Sequence, residues 1–140
     1  FKSILMKKTA KLIFILTTCL FLACSGYGEK LQYQKTELYY TDKVKKEVAE
    51  KLGEFLVKTE FANGNEKSIQ LSKNENSGNY EFRMVTTKEA AESDTYKSIF
   101  KIYAKQISDS VFNKQPVDFH VCDNTFTTLK VIPFETEKPN

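Results

Sequence analysis

The stretch KSIQLSKNENSGNYEFRMVT, residues 67–86, predicts two strands joined by a turn. Ile69 and Leu71 alternate with polar residues in the first strand, and the Asn-rich segment 74–79 supplies the turn. The second strand alternates in the same way, with Tyr80, Phe82 and Met84 on one face and Glu81, Arg83 and Val85 on the other. A hairpin with one apolar face needs a second layer to cover that face, so the flanking segments should supply one.

The segments before and after the hairpin are both predicted to be helical. The first runs from Thr41 to Phe61, with Thr41 or Asp42 as its cap and with apolar residues at helical spacing: Val44, Val48, Leu52, Phe55 and Leu56. The second opens at Ser93 or Asp94 and follows the same period: Tyr96, Ile99, Phe100, Tyr103, Ile107 and Val111. Gly53 weakens the first helix, so we expect it where that helix packs closely on a sheet.

Three further strands complete the pattern. TELYYT, residues 36–41, precedes the first helix, and PVDFHVC, residues 116–122, follows the second. TFTTLKVIPF, residues 125–134, comes after Asp123 and Asn124, which predict a tight hairpin. The order β-α-β-β-α-β with an extra C-terminal strand predicts an α+β fold. We expect the ferredoxin-like two-layer sandwich, in which two helices cover one face of an antiparallel sheet.

The N-terminal segment has the pattern of an export signal. A lysine-rich stretch, residues 7–11, precedes an apolar run over residues 12–23. That run is shorter than the ~20 residues that a membrane-spanning helix needs, so it predicts a cleaved leader. Met6 is the expected natural start, and residues 1–24 are therefore assigned to upstream residues plus a signal peptide.

FLAC, residues 21–24, resembles the lipobox of bacterial lipoprotein precursors. In that family a small residue precedes a cysteine that is diacylated and becomes the new N-terminus. The resemblance therefore implies lipidation of Cys24 and a membrane anchor. The alternative is ordinary signal cleavage after Ser25. Cys19 is a poorer acceptor, because the preceding Thr18 is β-branched and larger than the residue usually required.

A tether, one domain and a tail are expected after the leader. Residues 25–35 are polar and aperiodic, which indicates a flexible tether, residues 36–135 form a single α+β domain, and residues 136–140 form a disordered tail. The leader carries four of the 21 basic residues and none of the 18 acidic ones, which leaves 17 basic residues against 18 acidic ones. This balance gives no electrostatic case for binding nucleic acid. The sequence of motifs ELYYTD, NYEFRMV and VDFHVCD resembles that of uncharacterised exported bacterial proteins, a resemblance that implies no activity.

His120 and Cys122 are the residues best suited to chemistry. His120 is the only histidine, and Cys122 is the one cysteine left after the leader. Residues two apart on a strand point to the same side but lie about 6 to 7 Å apart, which is poor for a Cys-His nucleophile pair. A zinc site would need three or four ligands. We therefore expect no catalytic site, no metal and no cofactor, and we expect Cys122 to be buried as a small hydrophobe.

The outer side of the predicted sheet is the expected interaction surface: Tyr39, Glu81, Arg83, Val85 and His120. The alternative is that this side is only the polar face of a two-layer fold or is covered by a terminal segment. The sequence thus favours an exported, membrane-anchored lipoprotein that faces the periplasm or the cell exterior. Its expected role is that of a non-catalytic binding or structural module with an envelope protein as its partner. One alternative is a soluble exported enzyme or ligand binder that uses His120, Cys122 and Arg83. Another is an inhibitor or immunity-type protein.

Overall fold

A computed structural model describes residues 26–138 of the protein, and these residues form a six-stranded sheet and three helices. The strands are β1 (Glu29–Tyr33), β2 (Thr36–Tyr40), β3 (Lys67–Lys73), β4 (Tyr80–Val85), β5 (Val117–Cys122) and β6 (Thr128–Ile132). The helices are α1 (Lys46–Lys58), α2 (Lys88–Glu92) and α3 (Asp94–Val111). The expected leader and its Cys24 lie outside the described residues.

The six strands lie in the sheet in the order in which they follow one another along the chain. Strands joined by short loops, β1–β2, β3–β4 and β5–β6, are antiparallel, whereas the helix-joined pairs β2–β3 and β4–β5 are parallel. The predicted α+β class is confirmed. The ferredoxin-like topology is not confirmed, because a split β-α-β unit places another strand between the two that a helix joins, and here those strands are direct neighbours. The prediction of an antiparallel sheet was therefore wrong for both pairs.

β1 lies within the segment that was expected to be a flexible tether, so that expectation was wrong for residues 29–33. All five residues of β1 pair with β2. Tyr33 packs against α1, where its ring would lie 2.1 Å from a Cβ added to Gly53. Close packing does require this glycine, as the sequence predicted, but the partner is an edge strand with only Leu31 and Tyr33 as apolar residues.

The core lies between the sheet and the helices. Its fully buried large side chains come from both layers: Leu38, Leu52, Leu56, Ile69, Leu71, Phe82, Ile107, Val117, Phe119 and Val121. Phe119 joins the layers, because its ring stacks on Phe100 of α3 with centroids 4.4 Å apart and contacts Phe82 at 5.3 Å. The predicted inward face of the strands is thereby confirmed. Tyr96 and Ile99, which share the helical period of α3, are half exposed instead.

The helix starts differ in how well the sequence located them. Ser93 caps α3 as predicted, since its hydroxyl accepts a 3.3 Å hydrogen bond from the Tyr96 amide. α1 starts after Lys45, later than predicted, because the chain first makes a turn in which the Val44 amide donates to the Thr41 carbonyl at 3.0 Å. That turn inserts Val44 into the core. One residue of the segment that was expected to be a disordered tail contacts the domain: Oε1 of Glu137 lies 3.8 Å from Nζ of Lys105 in α3.

Candidate functional site

The face of the sheet opposite the helices, called the outer face below, carries one row of side chains that crosses every strand. Strand pairing aligns one residue from each strand in this row, from β1 to β6: Lys30, Tyr39, Gln70, Arg83, His120 and Val131. Adjacent strands lie about 4.8 Å apart, so polar side chains in one row can reach their neighbours. Three residues of the predicted surface, Tyr39, Arg83 and His120, therefore belong to one line.

Arg83 is the centre of this row, because its guanidinium contacts three different segments. Nε donates to Oε1 of Gln70 at 3.0 Å, and Nη1 lies 3.2 Å from Nδ1 of His120. Nη2 donates to the backbone carbonyl of Phe126, in the loop between β5 and β6. Arginine offers several donors in a fixed plane, and here that plane ties two strands to a loop.

His120 is almost completely buried, and both of its ring nitrogens have partners. Nε2 lies 2.9 Å from Oε2 of Glu81, while Nδ1 faces the Thr128 hydroxyl at 3.1 Å as well as Arg83. Because arginine only donates, Nδ1 must accept, so the ring proton resides on Nε2 and is donated to Glu81. Burial lowers the pKa of His120 below its usual 6.5, with Glu81 opposing that shift and Arg83 adding to it.

Glu81 is the buried carboxylate of the network, with 9% of its surface exposed. One of its oxygens accepts from His120, and the other accepts from the Ser72 hydroxyl at 3.0 Å. A buried carboxylate is costly unless it is paired and hydrogen-bonded, and this one has both kinds of partner. We call Gln70, Glu81, Arg83, His120 and Thr128 the outer-face network.

Three aromatic side chains pack together beside the outer-face network, and we call them the aromatic cover: Tyr27, Tyr39 and Phe126. Each ring meets the other two edge to face, with centroid distances of 5.6, 5.1 and 5.8 Å. The Tyr27 carbonyl accepts from the Gln70 side chain at 2.9 Å. The cover thus joins a strand to two segments without regular structure, one before β1 and one after β5.

Phe126 reaches the cover because the β5–β6 connection spans residues 123–127, so the predicted two-residue hairpin was wrong. Oδ1 of Asp123 accepts from the amides of Thr125 and Thr127, at 2.9 and 3.0 Å, and from the Thr125 hydroxyl. These bonds hold the pKa of Asp123 below its usual value. Phe126 itself adopts a positive φ of 58°, a strained conformation for a bulky residue. The loop therefore needs its hydrogen bonds to keep the ring on the sheet.

Cys122 is fully buried, as the sequence predicted. Its Sγ lies 3.8 Å from the carbonyl oxygen of His120, and burial raises the pKa of the thiol. A thiol that is neutral and inaccessible is a poor nucleophile. The alternative that uses Cys122 as a reactive group therefore loses its best residue.

The predicted interaction surface is only partly open. Glu81 and His120 are buried, so the expectation that they lie on an exposed face was wrong. Tyr39, Arg83 and Val85 are half-buried. Sequence reasoning missed Tyr27 and Phe126 for different reasons. Tyr27 lies in a segment with no helical or strand period, whereas Phe126 was assigned to the last predicted strand and lies in the loop before β6.

The order hydroxyl, imidazole, carboxylate in Thr128, His120 and Glu81 resembles the arrangement that activates a nucleophile. A general base needs a free lone pair, however, and the lone pair on Nδ1 is already shared with Arg83. Over residues 26–138, no group of three or more His, Cys, Asp or Glu side chains is placed to hold a metal ion. In the same part of the chain, no helix combines the length and apolar character needed to cross a bilayer.

Comparison with known proteins identifies a domain and gives no further match. A family model described as the AF_1994_N family N-terminal domain matches residues 30–132, which run from β1 to the end of β6. No curated protein and no solved structure matches the chain. The matched range includes four of the five residues of β1, in the segment that the sequence had assigned to a tether.

Proposed function

The chain belongs to the AF_1994_N family through the N-terminal domain at residues 30–132, and for this domain we propose a non-catalytic role as a binding or structural module of a bacterial envelope. The internal hydrogen bonding of the outer-face network is the observation that carries this proposal. Its only histidine, its buried carboxylate and its arginine hold two segments onto the sheet, with Gln70 bonded to the Tyr27 carbonyl and Arg83 to the Phe126 carbonyl. These groups therefore stabilise the fold by binding the two segments to the sheet.

Attachment to a membrane is the second part of the proposal. The apolar leader and the lipobox-like FLAC support export followed by diacylation of Cys24, and two acyl chains give stable anchoring where one is marginal. The domain would then face the periplasm or the cell exterior. Cleavage after Ser25 without lipidation is the alternative, and it would release the same domain in soluble form.

Metabolic labelling with palmitate tests the anchor. We expect the full chain expressed in bacteria to be labelled, the Cys24→Ala variant to lose the label, and the matched Cys19→Ala variant to keep it. Labelling that persists in Cys24→Ala, or a wild-type chain that stays unlabelled, would refute lipidation at this site.

Alkylation of the native protein tests the non-catalytic assignment. Cys122 is expected to react only after unfolding, because no part of its side chain is exposed. A Val131→Cys variant supplies the control, since Val131 lies on the same face, is 45% exposed and should react at once. Rapid reaction of Cys122 in the folded wild type would restore the enzyme alternative.

A protein partner is the remaining part of the proposal, and an inhibitor or immunity-type role is its narrower form. Affinity capture from envelope extracts distinguishes these readings. A stoichiometric partner that loses its own activity in the complex would support the inhibitor role, whereas a partner that keeps its activity would support a binding or structural module. Recovery of the domain alone would oppose both.

A further inference from the structure

We infer that the outer face of the sheet, at Tyr27, is held against the lipid headgroups of the membrane that carries the anchor. The inference rests on the proposed lipidation of Cys24. It concerns how the domain is oriented, which the anchor alone does not determine. Its occupant is the lipid surface, and a protein covering the same face is an outcome that the test separates.

The chain enters the described domain on the outer face. Tyr27 lies there because its ring packs on Tyr39 and Phe126 and its carbonyl accepts from Gln70. The path just after it is fixed as well. Gly28 has a φ of +97°, and a Cβ at this position would lie 2.2 Å from the Tyr40 carbonyl oxygen, so the backbone is pressed onto β2.

The chain between the anchor and this point is short. Three peptide units separate Cys24 from Tyr27, and a fully extended chain of that length spans at most about 11 Å. The flexible tether predicted for residues 25–35 would have spanned up to about 40 Å and allowed any orientation. Because β1 takes up residues 29–33, that freedom is lost.

The helices lie on the opposite side of the sheet and add a layer about 10 to 12 Å thick. The connection from Cys24 to Tyr27 is about 11 Å long and ends on the outer face. If the helix layer lay against the bilayer, the outer face would point away from the lipid and the connection could not reach its anchor. The short connection excludes an orientation with the helix layer against the lipid, and we therefore place the outer face toward the lipid, with exposed positions of α3 such as Ile102 pointing away from it.

The chemistry of the outer face fits a lipid surface that is held by covalent attachment. Tyr27 is 37% exposed, and tyrosine is a residue type enriched at the membrane interface. Lys30, on the same face, pairs with Glu37 at 3.4 Å, so this part of the surface offers no excess of positive charge to anionic headgroups. Contact should consequently depend on the acyl chains and should persist at high salt.

Fluorescence quenching in vesicles tests the orientation. The acylated full chain is reconstituted into phosphatidylcholine vesicles that contain headgroup spin-labelled lipid, with a bimane dye on a single introduced cysteine. Gln32→Cys places the dye on the exposed outer side of β1, and Ile102→Cys places it on α3. Labelling is done on folded protein, where Cys122 is buried.

We expect at least twofold stronger quenching at position 32 than at position 102, unchanged at high salt. Equal quenching, stronger quenching at 102, or none at either position would overturn the inference, and the last result would leave the outer face free for a protein partner. A ten-residue Gly-Ser insertion after Ser25 should remove the difference, and a difference that survives it would refute the role of the short connection. Flotation with the vesicles is scored separately, so loss of anchoring counts against the proposed function.

Discussion

Acidification should destabilise this domain through His120 alone over the range in which carboxylates stay ionised. In the folded state, burial and Arg83 lower the pKa of His120, and they outweigh the raising effects of Glu81 and Asp118. A second ring proton would place an N–H on Nδ1, facing the Arg83 guanidinium, and would end the bond from Thr128. The unfolded chain therefore takes up the proton first, at its ordinary pKa of 6.5. Stability is constant above that pH and falls as the pH drops below it.

The loss of unfolding free energy on acidification has an upper bound. If the folded ring stays neutral, protonation of one unfolded histidine from about pH 7.5 to about pH 5.5 costs up to about 1.4 kcal/mol. Urea unfolding followed by circular dichroism should then show a midpoint lower by as much as about 0.5 to 1.4 M, for m-values of about 1 to 3 kcal/mol per molar.

His120→Gln is the matched control, because it removes the only histidine in the chain. The variant should be less stable than the wild type at the higher pH but should show no fall over the same range. A wild-type midpoint that rises on acidification would mean that Glu81 dominates the ring. An equal fall in the variant would assign the effect to other groups. Either result refutes the reasoning.

Two glycines give further tests by urea or thermal unfolding. Gly28→Ala should cost about 1 to 3 kcal/mol, since its Cβ would meet the Tyr40 carbonyl at a positive φ, whereas Gly26→Ala, with nothing within 4 Å, should stay within about 0.5 kcal/mol; equal effects would contradict this. Gly53→Ala should destabilise the wild type by about 1 to 3 kcal/mol through its clash with Tyr33, yet stabilise a Tyr33→Ala background by up to about 1 kcal/mol through helix propensity. The same sign in both backgrounds would show that the ring is not the cause.

The sequence predicted the elements better than their arrangement. Periodicity located α1, α3 and the inner faces of β2 to β5, because burial of a face leaves a local signal every two or every three to four residues. It could not choose strand neighbours. The alternation of Ile69 and Leu71 on β3 is compatible with an edge position and with a place between β2 and β4, since it reports only which face is buried.

In the candidate site, too, the faces of the strands were predicted but the contacts between distant segments were not. Alternation correctly placed Glu81 and Arg83 on one face of β4, with His120 on the same face of β5. It did not decide whether this face is open or covered, because Tyr27 lies in a segment without a period and Phe126 was assigned to the last predicted strand. Contacts of this kind join positions 43 residues apart, as in the bond from Arg83 to the Phe126 carbonyl, and local pattern carries no information about them.

Internal pairing within the outer-face network also bears on how the outer face would meet a membrane in the proposed orientation. An unpaired arginine or carboxylate on that face would have to lose water on contact with lipid, at a cost that grows as the site becomes less polar. Here Arg83 and Glu81 already have their partners inside the domain. The face can therefore approach headgroups without leaving either charge unpaired. The interactions that hold the Tyr27 segment and the β5–β6 loop on the sheet are the same ones that lower the cost of the proposed orientation.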